Sequence, residues 1–174
     1  QQIVVIQRGD TLYTFSPGNA TGHRTKFESG LAARGLVEQI ALVKSMFPNS
    51  RDYTDVYDQY GLLGDRSLFG HGIHLSDREC ARLSETGSTV VHCPTSNTFL
   101  GSGLMSMPHL RKPERPVALG LATDIGGGTN YSMLATISEA YKVQMLSGYK
   151  PSAAELFHMA TRGNAERLHL SDQI

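Results

Sequence analysis

The sequence predicts an α/β fold built on parallel strands, and three observations carry that prediction. The short runs 67–70, 89–92 and 116–120 have the uninterrupted apolar character of strands buried on both faces. Segments with apolar residues at helical spacing lie between and after them, the alternation that marks strand–helix–strand units. Residues able to do chemistry gather just past the three runs: His71, then His92 with Asn97, then Asp124. Barrels and open α/β sheets place their sites at such C-terminal strand ends.

Residues 1–36 carry little pattern. Segments 3–6 and 11–15 read as short strands, 16–19 (Ser-Pro-Gly-Asn) as a turn cluster, and 22–35 mixes glycine with charges without a period. His23 stands there as a lone histidine in a polar loop. From Val37 the text becomes regular. Residues 37–47 form an amphipathic helix, with Ile40, Val43 and Phe47 at helical spacing and Pro48 ending it. A second helix spans 52–60, with Gly61 just beyond it. After the strand that delivers His71, Ser76 and Glu79 make a capping box for a helix to about Thr86, which Gly87 closes. The strand 89–92 leads into a loop at 93–97, and 101–115 is a long connection with one helical turn. After the strand at 117, the glycine loop 124–129 precedes a helix over 133–146, with Gly148 as its stop. Ser152 and Glu155 cap a further helix to about Thr161, and 164–168 continues helically.

Composition bounds the function. The 174 residues suffice for one domain with a core, and sixteen basic against sixteen acidic side chains leave no net charge. A nucleic-acid surface would show a basic excess, and a membrane span about 20 apolar residues; neither occurs. The N-terminal residues lack the charged head and length of a signal peptide. Cys80 and Cys93 make no disulfide framework, so a cytoplasmic location is expected. A closed (β/α)8 barrel usually takes about 250 residues, so only part of one fits.

His71 and Asp124, from separate strand ends, offer a nitrogen and an oxygen to one metal, and zinc accepts both. The stretch 124–129 equally suits a plain βα turn whose acid and threonine cap the next helix, and the sequence leaves both readings open. A third reading, the phosphate loop of the actin and sugar-kinase ATPases, requires a following β-hairpin; residues 131–143 read as a helix instead. His74 suits a structural role or one supporting the site from behind, His92 either catalysis or a bond to a neighbouring carbonyl, and His109, His158 and His169 surface or packing roles. Cys93 has no neighbouring pattern that marks a nucleophile, and Cys80 is expected to pack on a helix.

From about Val37 onward the chain resembles the guanine deaminases of the amidohydrolase superfamily. The resemblance rests on 67–76 (SLFGHGIHLS), 83–87 (LSETG), 92–97 (HCPTSN), 100–104 (LGSGL), 122–129 (ATDIGGGT), 139–143 (EAYKV) and 160–165 (ATRGNA). It implies a (β/α)8 barrel, here its strands six to eight with their helices over 37–174, behind a non-matching leader over 1–36. It also implies one zinc per subunit, a homodimer, and hydrolysis of guanine to xanthine and ammonia. By position Asp124 matches the strand-eight aspartate that ligates zinc and moves the proton. His71 matches the strand-six histidine that polarises the attacked centre or steadies the water.

The departures are specific. The family's His-x-His zinc pair and purine-holding Arg-Phe stretch are absent, residues 30–36 (GLAARGL) stand where it carries His-x-x-Glu, and its terminal β-sandwich does not follow. These 174 residues are therefore expected to be inactive by themselves. Partial disorder or self-association is expected as well, because three parallel strands leave edges unpaired. Another purine, pyrimidine or triazine aminohydrolase, or a non-catalytic remnant, is the alternative reading.

Overall fold

The computed structural model describes residues 4–8, 11–15, 23–26 and 45–173. The chain divides into two compact units, residues 1–50 and 51–174. In the first, strands β1 (Val4–Arg8), β2 (Thr11–Phe15) and β3 (His23–Lys26) form an antiparallel sheet in that order. Val4 lies opposite Phe15 and Arg8 opposite Thr11, while Thr14 faces His23. The third strand corrects the expectation of an irregular polar loop around His23. Its residues, His-Arg-Thr-Lys, include no apolar side chain, so no alternation could reveal it. The turn cluster 16–19, the segment 30–36 and most of the helix expected over 37–47 lie outside the described residues.

The second unit runs α1 (Tyr53–Gln59), β4 (Leu68–Gly70), α2 (Asp77–Thr86), β5 (Thr89–His92), α3 (Pro94–Phe99), α4 (Met107–Leu110), β6 (Ala118–Leu121), α5 (Met133–Leu146), α6 (Ala153–Ala160) and α7 (Arg162–Arg167). The three strands form a parallel sheet in the order β4-β5-β6, with Leu68 beside Thr89, Thr89 beside Ala118 and His92 beside Leu121. Val90, Leu119 and Leu121 meet Cys80, Leu83, Leu110, Leu156 and Met159 from the helices in one core. Each fully buried leucine of this kind contributes about 1.5–3 kcal/mol.

Local chemistry explains where the helices begin and stop. Ser76 accepts from the Glu79 N–H, while Glu79 returns a bond to the Ser76 N–H at 2.8 Å. The other oxygen of the same buried carboxylate accepts from the Thr54 hydroxyl at 3.0 Å, so the capping box also ties α2 to α1. Arg82 reaches Asp58 at 2.7 Å and Arg78 pairs with Asp52, fastening the two helices at both ends. Gly87 takes φ +71° and closes α2, as its sequence position implied. Gln144, wholly buried on α5, accepts from the Met107 N–H at 3.1 Å and donates to the Met105 carbonyl at 2.8 Å. It thereby holds the long connection against the helix. Asn164 on α7 treats β6 as a neighbouring strand would. Its Oδ1 accepts from the Leu121 N–H at 3.0 Å and its Nδ2 donates to the Leu121 carbonyl at 2.7 Å.

Candidate functional site

The site is made by two strand tips that turn sharply. At the end of β4 the His71 N–H still donates to the Val91 carbonyl at 2.9 Å, so the residue is held by the sheet. The backbone then enters the left-handed region, φ +72° at His71 and +56° at Gly72. A Cβ at Gly72 would lie 2.3 Å from Val90 Cγ1, so only glycine lets the chain turn so close to β5. At the end of β6, Asp124 also takes a left-handed backbone, φ +50°, and its carbonyl accepts from the Gly127 N–H at 3.1 Å. A Cβ at Gly128 would fall 1.9 Å from the Thr123 carbonyl oxygen, and one at Gly127 3.1 Å from Asp124 Oδ2. The glycine run is thus the condition for folding the chain back over Asp124.

That geometry takes helix capping away from Asp124. The N-cap of α5 is Ser132, whose hydroxyl accepts from the Ala135 N–H, so Asp124 does not cap the helix. Its carboxylate instead faces His71, with Oδ2 3.8 Å from Nε2. The other ring nitrogen, Nδ1, lies 2.8 Å from Oδ1 of Asn97, which is buried on α3. Cys93 joins them: one donor atom from each of His71, Cys93 and Asp124 lies within 4.8 Å of the others. The His71 and Asp124 side chains are 46% and 36% exposed, so solvent reaches the pair, whereas Cys93 is buried and burial pushes its thiol pKa up. Imidazole nitrogen, carboxylate oxygen and cysteine sulfur are the ordinary ligand types of zinc, so the donor set fits the metal that the resemblance implies.

Cys93 is the residue that sequence reasoning passed over. Its one signal was adjacency to a strand end. The segment 93–97 also corrects an expectation, because Pro94–Phe99 is a helix where a loop was read. Pro94 suits the first helical turn, and Thr98 returns its hydroxyl to the Pro94 carbonyl at 2.9 Å.

Other histidines of the second unit have surroundings of their own. His92 is fully buried, neither ring nitrogen has a hydrogen-bond partner among the described residues, and burial lowers its pKa to about 4. It is a neutral core residue at pH 7. His74 Nε2 contacts the Ser102 carbonyl at 3.2 Å, His109 Nε2 the Leu75 carbonyl at 2.9 Å, and His169 Nε2 the Asp65 carbonyl at 3.0 Å. These are structural bonds. Cys80 is buried in the core, as its helical position implied.

The segment that carries these parallel strands, with a histidine after the first and an aspartate after the third, matches the amidohydrolase family model over residues 36–174, and the chain belongs to that family. Its three-stranded sheet with flanking helices is part of the family's barrel. The relatives are more particular. The chain is 49% identical to guanine deaminase of Escherichia coli K12 over 137 residues, 79% of this chain and 31% of that protein. It is 34% identical to guanine deaminase of Homo sapiens over 143 residues, again 79% of this chain and 31% of that protein. Among solved structures, E. coli guanine deaminase superposes with a TM-score of 0.72 over 78% of this chain and 31% of that one. Guanine deaminase from C. acetobutylicum, solved with guanine in its active site, gives 0.68 at 34% identity over 76% of this chain and 33% of that one. A zinc-bound adenosine deaminase from Xanthomonas campestris gives 0.59 at 30% identity over 67% of this chain and 27% of that one. The chain spans about a third of the length of the curated guanine deaminases it matches.

Proposed function

We propose that these residues serve a guanine deaminase: a zinc hydrolase that converts guanine to xanthine and ammonia. The observation that carries the reading is the meeting of His71 and Asp124, at 3.8 Å, from the tips of two strands. The 49% identity to the E. coli enzyme supports guanine over other amino-bearing rings. Asp124, with His71 and Cys93 beside it, would hold the metal, which supplies a bound water acidified toward about pH 7. The Asp124 carboxylate accepts and returns the proton moved during hydrolysis. His71, anchored through Nδ1 to Asn97, presents Nε2 toward the reacting centre. The reading extends to a homodimer in the cytoplasm that acts on a free purine, without nucleic-acid or membrane partners.

The complete reaction needs a whole barrel. The family's His-x-His and His-x-x-Glu motifs are missing from these 174 residues, which alone are expected to release no ammonia from guanine. The test grafts residues 36–174 into E. coli guanine deaminase in place of the matching segment. Guanine, adenine, cytosine and melamine are then assayed, with zinc content as a control for folding. Ammonia release from guanine that falls about 10²–10⁴-fold in Asp124→Ala supports the proposal. A folded, zinc-loaded graft that prefers adenine or melamine would replace guanine with another aminohydrolase substrate.

A further inference from the structure

We propose that helix α3 is the positioning element of the site. Asn97 fixes His71 in the tautomer protonated on Nδ1, and Thr95 pins the peptide next to Asp124. The inference rests on reading His71 and Asp124 as the site, but its test requires no catalysis.

The topology gives α3 this opportunity. It follows β5 directly, and β5 is the middle strand, with β4 on one side and β6 on the other. A short helix leaving the central strand stands between the two tips that carry the site. Asn97 reaches one way, with Oδ1 2.8 Å from His71 Nδ1. Thr95 reaches the other, its hydroxyl donating to the Thr123 carbonyl at 3.1 Å, one residue before Asp124. The fit on that side depends on glycine, since a Cβ at Gly128 would come within 2.8 Å of Thr95 Oγ1.

The helix itself is secured from within and behind. The Asn97 N–H donates to the Cys93 carbonyl at 3.1 Å, and the Asn97 carbonyl accepts from Ser102 N–H at 2.9 Å. The Ser96 hydroxyl donates to the Cys93 carbonyl at 3.1 Å. Asn97 is 1% exposed, so it has little freedom to swing away.

An amide oxygen can only accept, so the observed contact requires a proton on His71 Nδ1 and leaves Nε2 with its lone pair toward Asp124. That tautomer presents a donor atom to an electrophile, and the opposite one would present a proton. The Asn97 amide nitrogen is buried without a partner among the described residues, an arrangement that disfavours Asn97 as mere filler. His71 and Asp124 both hold left-handed backbone conformations, which persist where surrounding contacts over-determine them. Asn97 and Thr95 supply one such contact to each tip.

The test is nitrogen NMR on the uniformly ¹⁵N-labelled, metal-free graft of residues 36–174 in E. coli guanine deaminase, at a pH well above the imidazole range. Long-range ¹H–¹⁵N correlations show which ring nitrogen is protonated, and the His71 signals are those lost in His71→Gln. His71 is expected to carry its proton on Nδ1. Asn97→Ala should shift the ratio about fivefold toward the Nε2 tautomer, the effect of one ordinary hydrogen bond. Asn97→Asp, which keeps an acceptor, should retain the Nδ1 proton. Thr95→Val should leave the His71 ratio unchanged and move the Gly127 and Gly128 amide signals. A His71 that is mainly Nε2-protonated in the unaltered graft, or shows the mixture of a free imidazole, overturns the proposal. So does an unchanged ratio in Asn97→Ala. If that variant fails to fold, the unaltered graft and Asn97→Asp still decide. A graft that deaminates another substrate would refute the guanine reading without touching this result, and a wrong tautomer here would leave that reading intact.

Discussion

Acid should weaken the native state through His92, over a pH range set by the burial of that side chain. In the folded chain burial holds its pKa at about 4, against an ordinary 6.5. The unfolded chain therefore takes up a proton at His92 through a range in which the native state refuses one. Stability is fully present above about 6.5, declines as pH falls toward about 4, and is lost no further from this group below that. The interval corresponds to about 3 kcal/mol at about 1.4 kcal/mol per pH unit, a large share of the 5–15 kcal/mol typical of a domain. Asp55, Asp58 and Asp77, whose pKa values Arg51, Arg82 and Lys112 with Arg115 hold below 3.8, add a loss of their own below about pH 5, and a His92→Leu variant shares it, so the difference between the two proteins isolates His92. The assay is urea denaturation at several values between about pH 7 and about pH 4, on the graft of residues 36–174 in E. coli guanine deaminase and on its His92→Leu form. The unaltered protein should lose about 3 kcal/mol more across the range than the leucine variant, most of it above about pH 5, where the carboxylates are still ionised in both states. Equal slopes, or a His92 titration near 6.5 by NMR, would refute the reasoning.

Other perturbations test other joints. Gln144→Leu strands the buried Met107 N–H and Met105 carbonyl, and should cost about 2–4 kcal/mol in denaturant unfolding. Gly128→Ala drives a Cβ into the Thr123 carbonyl and should cost about 2 kcal/mol or more, with weaker zinc uptake by equilibrium dialysis. The 174 residues alone should self-associate or melt broadly, because β4 and β6 are outer strands among the described residues. A sharp melting transition with a monomer's mass in dilute solution would contradict that.

Much of this architecture was legible because local rules and tertiary demands agree. Both capping boxes, Ser76 with Glu79 and Ser152 with Glu155, form as the residue types imply. The helix Met133–Leu146 follows the glycine run as its period indicated. His71 and Asp124 meet although β5 separates their strands, because both tips end at the same edge of one parallel sheet and both turn into the left-handed region there. What escaped was settled by pairing across space. Helix α3 consists of Pro, Thr, Ser and Asn up to its last residue, Phe99, a composition that reads as a loop, and is sustained by side-chain bonds to its own backbone. Strand β3 exists through β2. His92 looked equally suited to catalysis or to a carbonyl bond, and only the folded chain shows it completely buried, with no hydrogen-bond partner among the described residues.

The clasp of Asn164 on Leu121 has a consequence in time. The two residues are 43 positions apart, so a ribosome that has made β6 has not yet made the amide that covers its outer peptide. At about 5–20 residues per second, the intervening chain takes roughly 2 to 9 seconds to synthesise. For that interval Leu121 offers an open N–H and C=O to any passing strand, and the arrival of α7 ends the exposure. Slow translation between β6 and α7 should therefore lower the soluble yield more than slow translation elsewhere in the chain.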